Sequence, residues 1–575
     1  MPFGYHGSYL RIDVSSNTAE RVPLSEETLR QFIGGSGLGA RLLLDEGAAI
    51  LDPLASQSPL IFTFSPLVGS PLTTSAKFAV VSKSPLTERI NDSLASSGFA
   101  IAGKGCGCDA IVIVGRASEL SVLIIEDGNV RLEAAAEYRG ATCGETEHRL
   151  RSRLGAHFQV ASIGPAAENG VRYATISHDG RHAGRGGSGA VLGAKNIKAI
   201  AIHGSRRAEW SDPEQLIELS RSLSTKSFGP ATAKYRELGT ATNLLTFNRL
   251  SALPTRNFQT GVFEEAINIS AEQLTAVRPK TRKSCAACTI GCEHIYGTGS
   301  TGVRIEYESL FALGSLCGVG DADTILRATQ RCDELGLDTI STGGTIAFAM
   351  ECVSRGWLDE PWLTFGSGDS LLRAIELIGS RSGLGNLLAE GSRRAALAIG
   401  HDSMAIAPQV KGLEISGYEP RALQTMALGF AVGARGADHN RSGAYEVDFS
   451  DKVDRRRVTS DSVRYAIETE DRAALMDSLI LCKFLRGVFE DFYAETAHML
   501  RCVTGWNVTA DELRETAKRI VSAKREFNVR AGWTPSEDTL PERFLDNALP
   551  SDPNAFLSRQ SLEDLVAEYH RQRGW

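Results

Sequence analysis

Three cysteines in one short segment are the residues in this chain best suited to do chemistry. Cys285, Cys288 and Cys292 follow the spacing C-x2-C-x3-C among small residues that let backbone amides reach sulfur. This spacing is typical of a [4Fe–4S] cluster, in which three thiolates from one loop are joined by a fourth from far along the chain. Cys482 is the candidate for the fourth ligand. We expect the cysteine loop to connect two helices.

A structural zinc ion is the competing interpretation of the same segment. Cys285, Cys288 and Cys292 together with His294 would make a Cys3His set, which is a common tetrahedral zinc site. Three unpaired buried cysteines are a third interpretation. The spacing favours the cluster and leaves the other two open.

Two similar segments, 333–339 and 477–483, each begin with aspartate near a predicted helix end. Carboxylates and backbone groups at such ends suit hydrogen bonding to the N–H groups of a pterin-like heterocycle. Two similar loops predict one ligand with two similar halves, and Cys482 in the second would place the cluster beside that ligand. Each segment could also be an ordinary end of an amphipathic helix.

The glycine-rich segment 184–189 matches the pattern G-x-G-x-x-G of dinucleotide sites. A Rossmann fingerprint follows a strand and opens a long helix, whereas here a short turn leads into a strand-like segment, which argues against NAD. Arg181, Arg185 and the N–H groups of Gly184 and Gly186 predict a phosphate-binding loop instead. A tight β-turn with surface arginines is the alternative.

Glu308 and His439 are candidates for acid–base chemistry. Glu308 precedes the apolar run FALG, and such surroundings raise a carboxyl pKa towards neutrality. His439 lies in a glycine-containing loop, where an imidazole can donate to a carbonyl. Taken alone, Glu308 could be a helix-start carboxylate and His439 a surface histidine.

The elements that must position these residues belong to a large globular chain. Its 575 residues predict roughly three to four domains. The net charge of −7 and the lack of a basic, aromatic run exclude a nucleic-acid-binding class. No stretch approaches the roughly 20 apolar residues of a membrane span, and the N-terminus lacks a secretory signal, so we expect a cytoplasmic protein. Eleven cysteines, an odd number, indicate free thiols and metal ligation.

The hydrophobic patterning changes along the chain. Residues 1–209 alternate β-rich runs with turns and predict a mostly β domain. Ser211 to Glu214 reads as a capping box with proline in the first helical turn, after which helices predominate. We expect helices over 323–335, capped by Gly336, and over 464–486, ending near Cys482. The predicted domains are 1–209, 210–408 and 409–575, an α+β architecture.

The order and spacing of many short motifs resemble the tungsten-containing aldehyde ferredoxin oxidoreductase family nearly from end to end. The motifs are FIGGSGLGARLL, KSPLT, AGRGGSGAVLGAKNIKAIA, SCAACTIGC, EYESLFALGS, CDELGLDTIS, GYEPRALQTMALGFA, RGADHNRSG, FNVRAGW and DTLPERF. The resemblance implies a mostly β N-terminal domain that carries the base of a bis-pterin site, followed by two predominantly α-helical domains. Tungsten, or molybdenum, would be held by the sulfurs of two pterins beside a [4Fe–4S] cluster, with a Mg²⁺ ion bridging the pterin phosphates.

The resemblance also implies roles for individual residues. The implied cluster ligands are Cys285, Cys288, Cys292 and Cys482, the implied acid–base pair is Glu308 and His439, and the implied pterin-contacting residues of the two similar loops are Asp333, Gly336, Leu337, Asp338 and Asp477. Lys77 stands where we align an arginine for pterin phosphate, Leu94 where the family often has asparagine, and Ile480 where it usually has glycine. Lysine keeps the positive charge but loses the bidentate fork.

The activity implied by the resemblance is oxidation of an aldehyde to a carboxylic acid with water as the oxygen source. Electrons would pass through the cluster to ferredoxin or a ferredoxin-like subunit, and we expect a homodimer or hetero-oligomer. One alternative is a low-potential reductase of aromatic acyl-CoA thioesters, of the benzoyl-CoA type. Cys317 bears on it, because a protein thiolate on tungsten favours such reduction; a small buried hydrophobic role for Cys317 is favoured. The other alternative is a zinc- or cluster-bearing scaffold or electron-transfer subunit without an active metal site.

Overall fold

The computed structural model describes residues 2–299 and 302–575. The apolar runs of the first 209 residues form two six-stranded sheets, because their β-branched residues suit buried pleated surfaces. The first sheet contains β1 Ser8–Asp13, β2 Thr18–Pro23, β3 Leu60–Thr63, β4 Lys77–Lys83, β5 Ile90–Ser96 and β6 Ala110–Val114. The second contains β7 Ser121–Glu126, β8 Asn129–Ala134, β9 Gln159–Ser162, β10 Ile176–His178, β11 Arg181–Ala183 and β12 Ile197–His203.

Both sheets are mixed. The first has the order β2-β1-β6-β3-β4-β5, in which only β1 and β6 are parallel. The second has the order β11-β10-β9-β12-β7-β8, in which only β12 and β7 are parallel. Strands β3 and β6 are buried along their whole length, so the first sheet is covered on both faces.

Short helices cover these sheets. They are α1 Glu26–Phe32, α2 Gly35–Asp45, α3 Gly98–Gly105, α4 Cys143–Leu154, α5 Pro165–Glu168 and α6 Ser188–Ala194. The glycine-rich segment therefore leads into a helix of only seven residues, and the strands on either side of it, β11 and β12, are antiparallel and not adjacent. A dinucleotide-binding βαβ unit needs parallel strands and a long helix, and this segment has neither.

Helices predominate after residue 209. They are α7 Pro213–Ser227, α8 Ala233–Leu238, α9 Asn243–Arg249, α10 Ala271–Val277, α11 Tyr307–Leu313, α12 Ala322–Leu335, α13 Thr339–Ser354, α14 Gly368–Ser380, α15 Gly385–Leu388, α16 Ser392–Ile399, α17 Gln424–Val432, α18 His439–Ser442, α19 Tyr445–Asp448, α20 Val463–Leu479, α21 Phe492–Thr504, α22 Ala510–Arg530 and α23 Arg559–Arg573. The remaining strands are β13 Lys280–Lys283, β14 Glu293–Tyr296, β15 Val303–Arg304, β16 Gln409–Val410 and β17 Leu413–Glu414.

The start of α7 differs from its prediction by one residue. The cap is Asp212, whose carboxylate accepts from the backbone N–H of Gln215 at 3.0 Å, and not Ser211. Pro213 explains the difference, because its fixed φ places it at the first helical position and makes its predecessor the cap. Helix α12 agrees with its prediction and ends at Gly336 in the left-handed conformation, φ 75°.

The predicted helix over 464–486 is wrong at its C-terminal end. Helix α20 stops at Leu479, because Ile480 adopts a left-handed conformation with φ 64°. Cys482 then lies in extended backbone ahead of a short 3-10 helix, Lys483–Leu485. This stop leaves Cys482 outside any α-helix.

The cysteine loop also differs from its prediction. Residues 284–292 connect β13 and β14, which pair antiparallel with Lys283 opposite Glu293. The loop is therefore the tip of a β-hairpin and does not connect helices. The strands KTRK and EHIY are short, and their charged residues hide the alternation that identifies a strand.

The α+β fold class, with a strand-rich region followed by a mostly helical one, is confirmed. One cluster of buried apolar side chains extends from Leu10 on β1 to Tyr569 on α23 and ties the two regions together. The domain boundaries near residues 209 and 408 stay predictions. Within residues 2–299 and 302–575 no single helix is long and apolar enough to cross a membrane; only the bent helix pair 307–317 and 322–335 reaches that length when both parts are added.

Candidate functional site

A central cavity of about 850 Å³ lies between the strand-rich and the helical regions. Strands β4 and β5, the cysteine hairpin and the ends of α12 and α20 contribute to its wall. Of the residues singled out from the sequence, the lining includes Lys77, Arg181, Gly184, Arg185, Cys285, Cys288, Cys292, Glu308, Asp333, Leu337, Asp338, His439, Asp477 and Cys482. These residues come from positions up to 405 apart in the sequence, and the fold brings them to one site.

Gly186 and Gly336 do not line the cavity. Both have positive φ, 81° and 75°, and both lie against neighbouring groups: a Cβ on Gly186 would lie 2.2 Å from Asn91 Oδ1, and one on Gly336 2.9 Å from Gly164 N. These glycines shape the two loops that carry Arg185 and Leu337 to the cavity. Their direct contact with a cofactor stays a prediction.

The cysteine hairpin is fastened to the N-terminal region on the side where Cys482 arrives. The Thr74 N–H donates to Ala287 O at 2.6 Å, and the Thr74 hydroxyl accepts from the Cys482 N–H at 3.5 Å. The Ser97 hydroxyl accepts from the Ala286 N–H at 2.9 Å. One residue, Thr74, therefore links the hairpin to the fourth cysteine.

The choice between an iron–sulfur cluster and a zinc ion at the four cysteines stays a prediction. The ligand atoms of a zinc ion all lie within about 2.3 Å of that one ion, whereas the four thiolates of a [4Fe–4S] cluster bind four different iron atoms and therefore lie farther apart. In the part of the chain that the structure describes, no three His, Cys, Asp or Glu side chains converge on a single ion. His294, the predicted fourth zinc ligand, is buried with Nε2 3.1 Å from Tyr235 O, and the residue is not part of the cavity lining.

Two cations stand beside the cysteines. Burial lowers the pKa of Lys77, but the thiols of Cys482 and Cys285 and the Asp477 carboxylate raise it by more, so the net direction is upward. Burial likewise lowers the pKa of Arg181, and Cys285 with Glu306 and Glu293 reverses the shift. Both side chains therefore keep their charge inside the cavity, as an anionic ligand needs.

The first loop, 333–339, presents two carboxylates. Asp333 lies 3.1 Å from His182 Nε2. Asp338 caps α13 by accepting from the N–H groups of Ile340 and Ser341, and lies 3.3 Å from Arg185 Nε. The Arg185 guanidinium also donates to Ala437 O at 2.9 Å, so the glycine-rich segment and the first loop are held as one unit.

The ion pairs of the second loop, 477–483, are shorter than those of the first loop. Asp477 is buried and lies 2.9 Å from Arg441 Nη1 and 3.0 Å from Lys483 Nζ. Ile480 takes the left-handed position that Gly336 occupies in the first loop, and a Cβ on Gly35 would lie 2.8 Å from its Cδ1 and 2.1 Å from Asp477 O. The lack of a side chain on Gly35 of α2 therefore leaves room for Ile480 in the second loop.

Sequence reasoning missed a buried ionic network beneath the cavity. Asp92 on β5 lies 3.1 Å from Arg441 Nε, 3.8 Å from Arg435 Nη1 and 2.7 Å from Lys524 Nζ. Burial raises the pKa of Asp92, but these cations lower it by more, so the pKa falls to about 2. Because more than 340 residues separate Asp92 from its partners, no local spacing could have shown the network.

The Mg²⁺ ion implied by the resemblance stays a prediction. Leu94 lines the cavity where the family often has asparagine. Two residues before it, the Asp92 carbonyl accepts from the guanidinium groups of Arg435 and Arg441. Guanidinium groups on this wall supply positive charge for phosphate without a metal ion.

Glu308 and His439 meet inside the cavity. His439 Nε2 lies 3.6 Å from Glu308 Oε1, and Glu308 Oε2 accepts from the Gly417 N–H at 3.1 Å. Burial raises the pKa of Glu308 to about 8 and lowers that of His439 to about 3. Both groups are therefore neutral near pH 7, and their Oε1 and Nδ1 atoms have no hydrogen-bond partner among the described residues.

Cys317 points away from the cavity. Its Sγ lies 3.4 Å from Ala312 O and 3.6 Å from Gly343 O in the core, and the residue is not part of the cavity lining. Burial raises the pKa of its thiol. The geometry thus agrees with the favoured interpretation of Cys317 as a small buried residue.

Comparison with known proteins decides the family. A family model described as the N-terminal domain of aldehyde ferredoxin oxidoreductase matches residues 9–204, and one described as domains 2 and 3 matches residues 218–575. This chain belongs to the aldehyde ferredoxin oxidoreductase family. The predicted resemblance is confirmed, and the chain is an oxidoreductase.

Relatives of this oxidoreductase cover its full length. It is 36% identical to the tungsten-containing aldehyde ferredoxin oxidoreductase of Pyrococcus furiosus, over all of this chain and 96% of that protein. It is 30% identical to the WOR-like subunit of an aliphatic sulfonate oxidoreductase from the same organism, over all of this chain and 95% of that protein. Among solved structures, the active site complex BamBC of benzoyl coenzyme A reductase with 1,5-dienoyl-CoA matches with a TM-score of 0.84 at 22% identity, over all of this chain and 95% of that chain. This last likeness is one of fold.

Proposed function

We propose that this family member oxidises an aldehyde to its carboxylic acid, with a tungsten or molybdenum bis-pterin cofactor in the central cavity and a [4Fe–4S] cluster beside it. One observation carries the proposal: four cysteines, two similar aspartate loops and the Glu308–His439 pair line one cavity. The 36% identity to tungsten-containing aldehyde ferredoxin oxidoreductases over the whole chain supports it.

The cavity wall suits a large anionic cofactor. Its volume of about 850 Å³ lies near the upper end of ligand sites. Arg435 Nε and Arg181 Nε are buried and have no hydrogen-bond partner among the described residues, and such donors suit phosphate oxygens. We assign contacts with the pterin rings to Asp333, Leu337, Asp338 and Asp477. Lys77, Arg181 and Arg185 would face the pterin phosphates. Gly184 would let the backbone approach the cofactor closely.

The proposed cluster ligands are Cys285, Cys288 and Cys292 on the hairpin and Cys482 after α20. Burial and the neighbouring thiols raise the pKa values of Cys288 and Cys292. Bound iron removes this penalty, because a coordinating thiol is deprotonated by the metal charge. All eleven cysteines are free, which suits the reducing cytoplasm in which we place the protein.

Glu308 and His439 would perform the proton chemistry of the reaction. Overall, one aldehyde and one water give one carboxylic acid, two electrons and two protons. A bound metal–pterin cofactor would supply the redox chemistry, taking up the two electrons, and a cluster held by the four cysteines would carry them onward one at a time. In its deprotonated form Glu308 takes a proton from water as oxygen adds to the carbonyl carbon, and neutral His439 donates its N–H to the carbonyl oxygen, where negative charge develops.

The electron acceptor is proposed to be ferredoxin, docking where the cysteine hairpin reaches the surface. Ala287, between two of the cysteines, is exposed, and so are Arg282 and Lys283 on β13 directly before them. Neither of these two cations has an acidic partner within residues 2–299 and 302–575. A basic patch in a chain of net charge −7 fits a small acidic electron carrier. The oligomeric state stays a prediction.

Metal content and aldehyde-dependent dye reduction test this function together. Protein produced without oxygen in medium containing tungstate should hold about one tungsten or molybdenum and about four iron per chain. It should reduce methyl viologen only when an aldehyde is added, with one acid formed per two dye molecules. Zinc alone, or full metal content without aldehyde oxidation, would overturn the proposal; the first result would favour a scaffold.

A further inference from the structure

Four aromatic residues form one continuous surface that starts at the acid–base pair. Phe247, Tyr418, Tyr445 and Phe449, here named the aromatic wall, all line the cavity. The Tyr418 ring centroid lies 5.0 Å from that of His439, 4.9 Å from Tyr445 and 5.4 Å from Phe247. Phe247 lies 5.2 Å from Phe449, which is 40% exposed at the outer end of the wall.

The aromatic wall is held in place by its own contacts. The Phe247 and Phe449 rings are parallel to within 7°, and those of Tyr418 and Tyr445 to within 30°. The Tyr445 hydroxyl accepts from the Arg486 guanidinium. The four residues come from α9, α19 and the segment between β17 and α17, so three parts of the helical region fix a preformed surface that loses little entropy on binding.

The charged side chains beside Tyr445 are paired with each other. Arg486 lies 3.1 Å from Glu446, and these are the charged side chains next to Tyr445. Glu308 and His439 are neutral near pH 7. The more distant arginines of the cavity are paired with carboxylates: Arg441 with Asp477 and Asp92, Arg435 with Asp438, and Arg185 with Asp338. The aromatic wall itself therefore presents an aromatic and not a charged surface to the cavity.

We infer that the substrate is an aldehyde whose carbonyl is attached to an aromatic ring. The ring lies against the aromatic wall while the carbonyl faces Glu308 and His439. Aromatic pairs gain stability beyond the area they bury, which corresponds to roughly 2- to 12-fold in binding per ring contact. This inference rests on the proposed function and narrows its substrate class.

The decisive comparison uses two aldehydes of the same ring size. Benzaldehyde and cyclohexanecarbaldehyde differ in the flat π face, and the holoenzyme should give a higher kcat/KM for benzaldehyde. Phe449→Leu keeps apolar bulk but removes the outer ring, and should lower kcat/KM about fivefold more for benzaldehyde than for cyclohexanecarbaldehyde. Phe247→Leu should act in the same direction.

Phe556→Leu is the matched control, because Phe556 is also partly exposed, 46%, and does not line the cavity. It should leave the ratio of the two kcat/KM values unchanged. Calorimetry on the holoenzyme gives a readout independent of turnover: benzoate should bind more tightly than cyclohexanecarboxylate, and Phe449→Leu should abolish the difference.

The possible results separate this inference from the proposed function. Oxidation of both aldehydes with a ratio that Phe449→Leu and Phe247→Leu do not change would overturn the aryl preference and leave the function standing. Ring-dependent benzoate binding without oxidation of any aldehyde would support the aryl site and overturn the proposed function. Equal binding of the two acids would count against the aryl site whatever the activity.

Discussion

The two ends of the central cavity respond to burial in opposite ways. At the end with Glu308 and His439, burial dominates: it raises one pKa to about 8, lowers the other to about 3, and leaves both groups neutral. At the end with Lys77 and Arg181, burial is outweighed by nearby thiols and carboxylates, and both pKa values rise. The neighbours of a buried group, more than its depth, thus decide whether it exchanges a proton or keeps a charge.

The largest effect should come from removing a proposed cluster ligand at the charged end of the cavity, the end with Lys77 and Arg181. Cys482→Ser removes the one proposed cluster ligand outside the hairpin, so iron should fall from about four to below one per chain and ferredoxin-coupled activity should disappear. Iron analysis and the broad cluster absorbance check this. Cys332→Ser, beside the first loop, should keep its iron; unchanged iron in Cys482→Ser would reassign the fourth ligand.

A change at the neutral end, the end with Glu308 and His439, should lower turnover without loss of metal. Glu308→Gln keeps the shape but cannot accept a proton, so kcat should drop by about 10² to 10⁴ while tungsten and iron content stay the same. Steady-state kinetics with methyl viologen measure this change. Glu272→Gln is the control, because Glu272 lies in the first turn of α10, as Glu308 lies in that of α11, but is exposed and does not line the cavity. A Glu308→Gln variant with wild-type kcat would remove Glu308 from the mechanism.

The pH profile should sharpen the contrast between the ends. A general base acts in its deprotonated form, so with a pKa of about 8 the active fraction of Glu308 rises as pH increases. We expect kcat/KM to rise about tenfold per unit between pH 6 and pH 8 and to level off above that. His439, with its pKa near 3, should add no inflection in this range. A profile that is flat from pH 6 to pH 9 would contradict the assignment.

The smallest effect should come from the surface over the charged end. The double change Arg282→Glu and Lys283→Glu should raise KM for ferredoxin about tenfold at low salt, with a smaller difference at high salt because ions screen the patch. Dye reduction should not change. Arg206→Glu with Arg207→Glu, an exposed adjacent pair after β12, is the charge-matched control. If both double variants lose ferredoxin affinity equally, the patch is not specific.

Local spacing in the sequence predicted a large part of this site. The C-x2-C-x3-C segment, the two aspartate loops and the strand-rich first region depend on contacts close in sequence; the structure confirms the strand-rich region and brings residues of the cysteine segment and both loops to one cavity. The boundaries failed where one residue overrides a pattern: Pro213 shifted a helix cap, and Ile480 stopped a helix within an otherwise continuous apolar period.

Tertiary contacts account for what the sequence could not show. No sequence pattern links Asp92 to Arg441 across 349 positions. Phe247 and Phe449 are 202 positions apart, and only the structure shows that their rings stack. The contact between Ile480 and Gly35 is of the same kind. Gly35 of α2 has no side chain, which leaves room for the bulky Ile480 in the second loop.

The hairpin docked against Cys482 has a consequence for how the protein assembles. A cluster bound by Cys292 and Cys482, 190 residues apart, would act as an inorganic cross-link and close a loop that includes α11 to α20. Closing a loop of that length lowers the entropy of the unfolded chain, which raises its free energy by roughly 5 kcal/mol at room temperature. A bound cluster would then stabilise the fold in addition to transferring electrons.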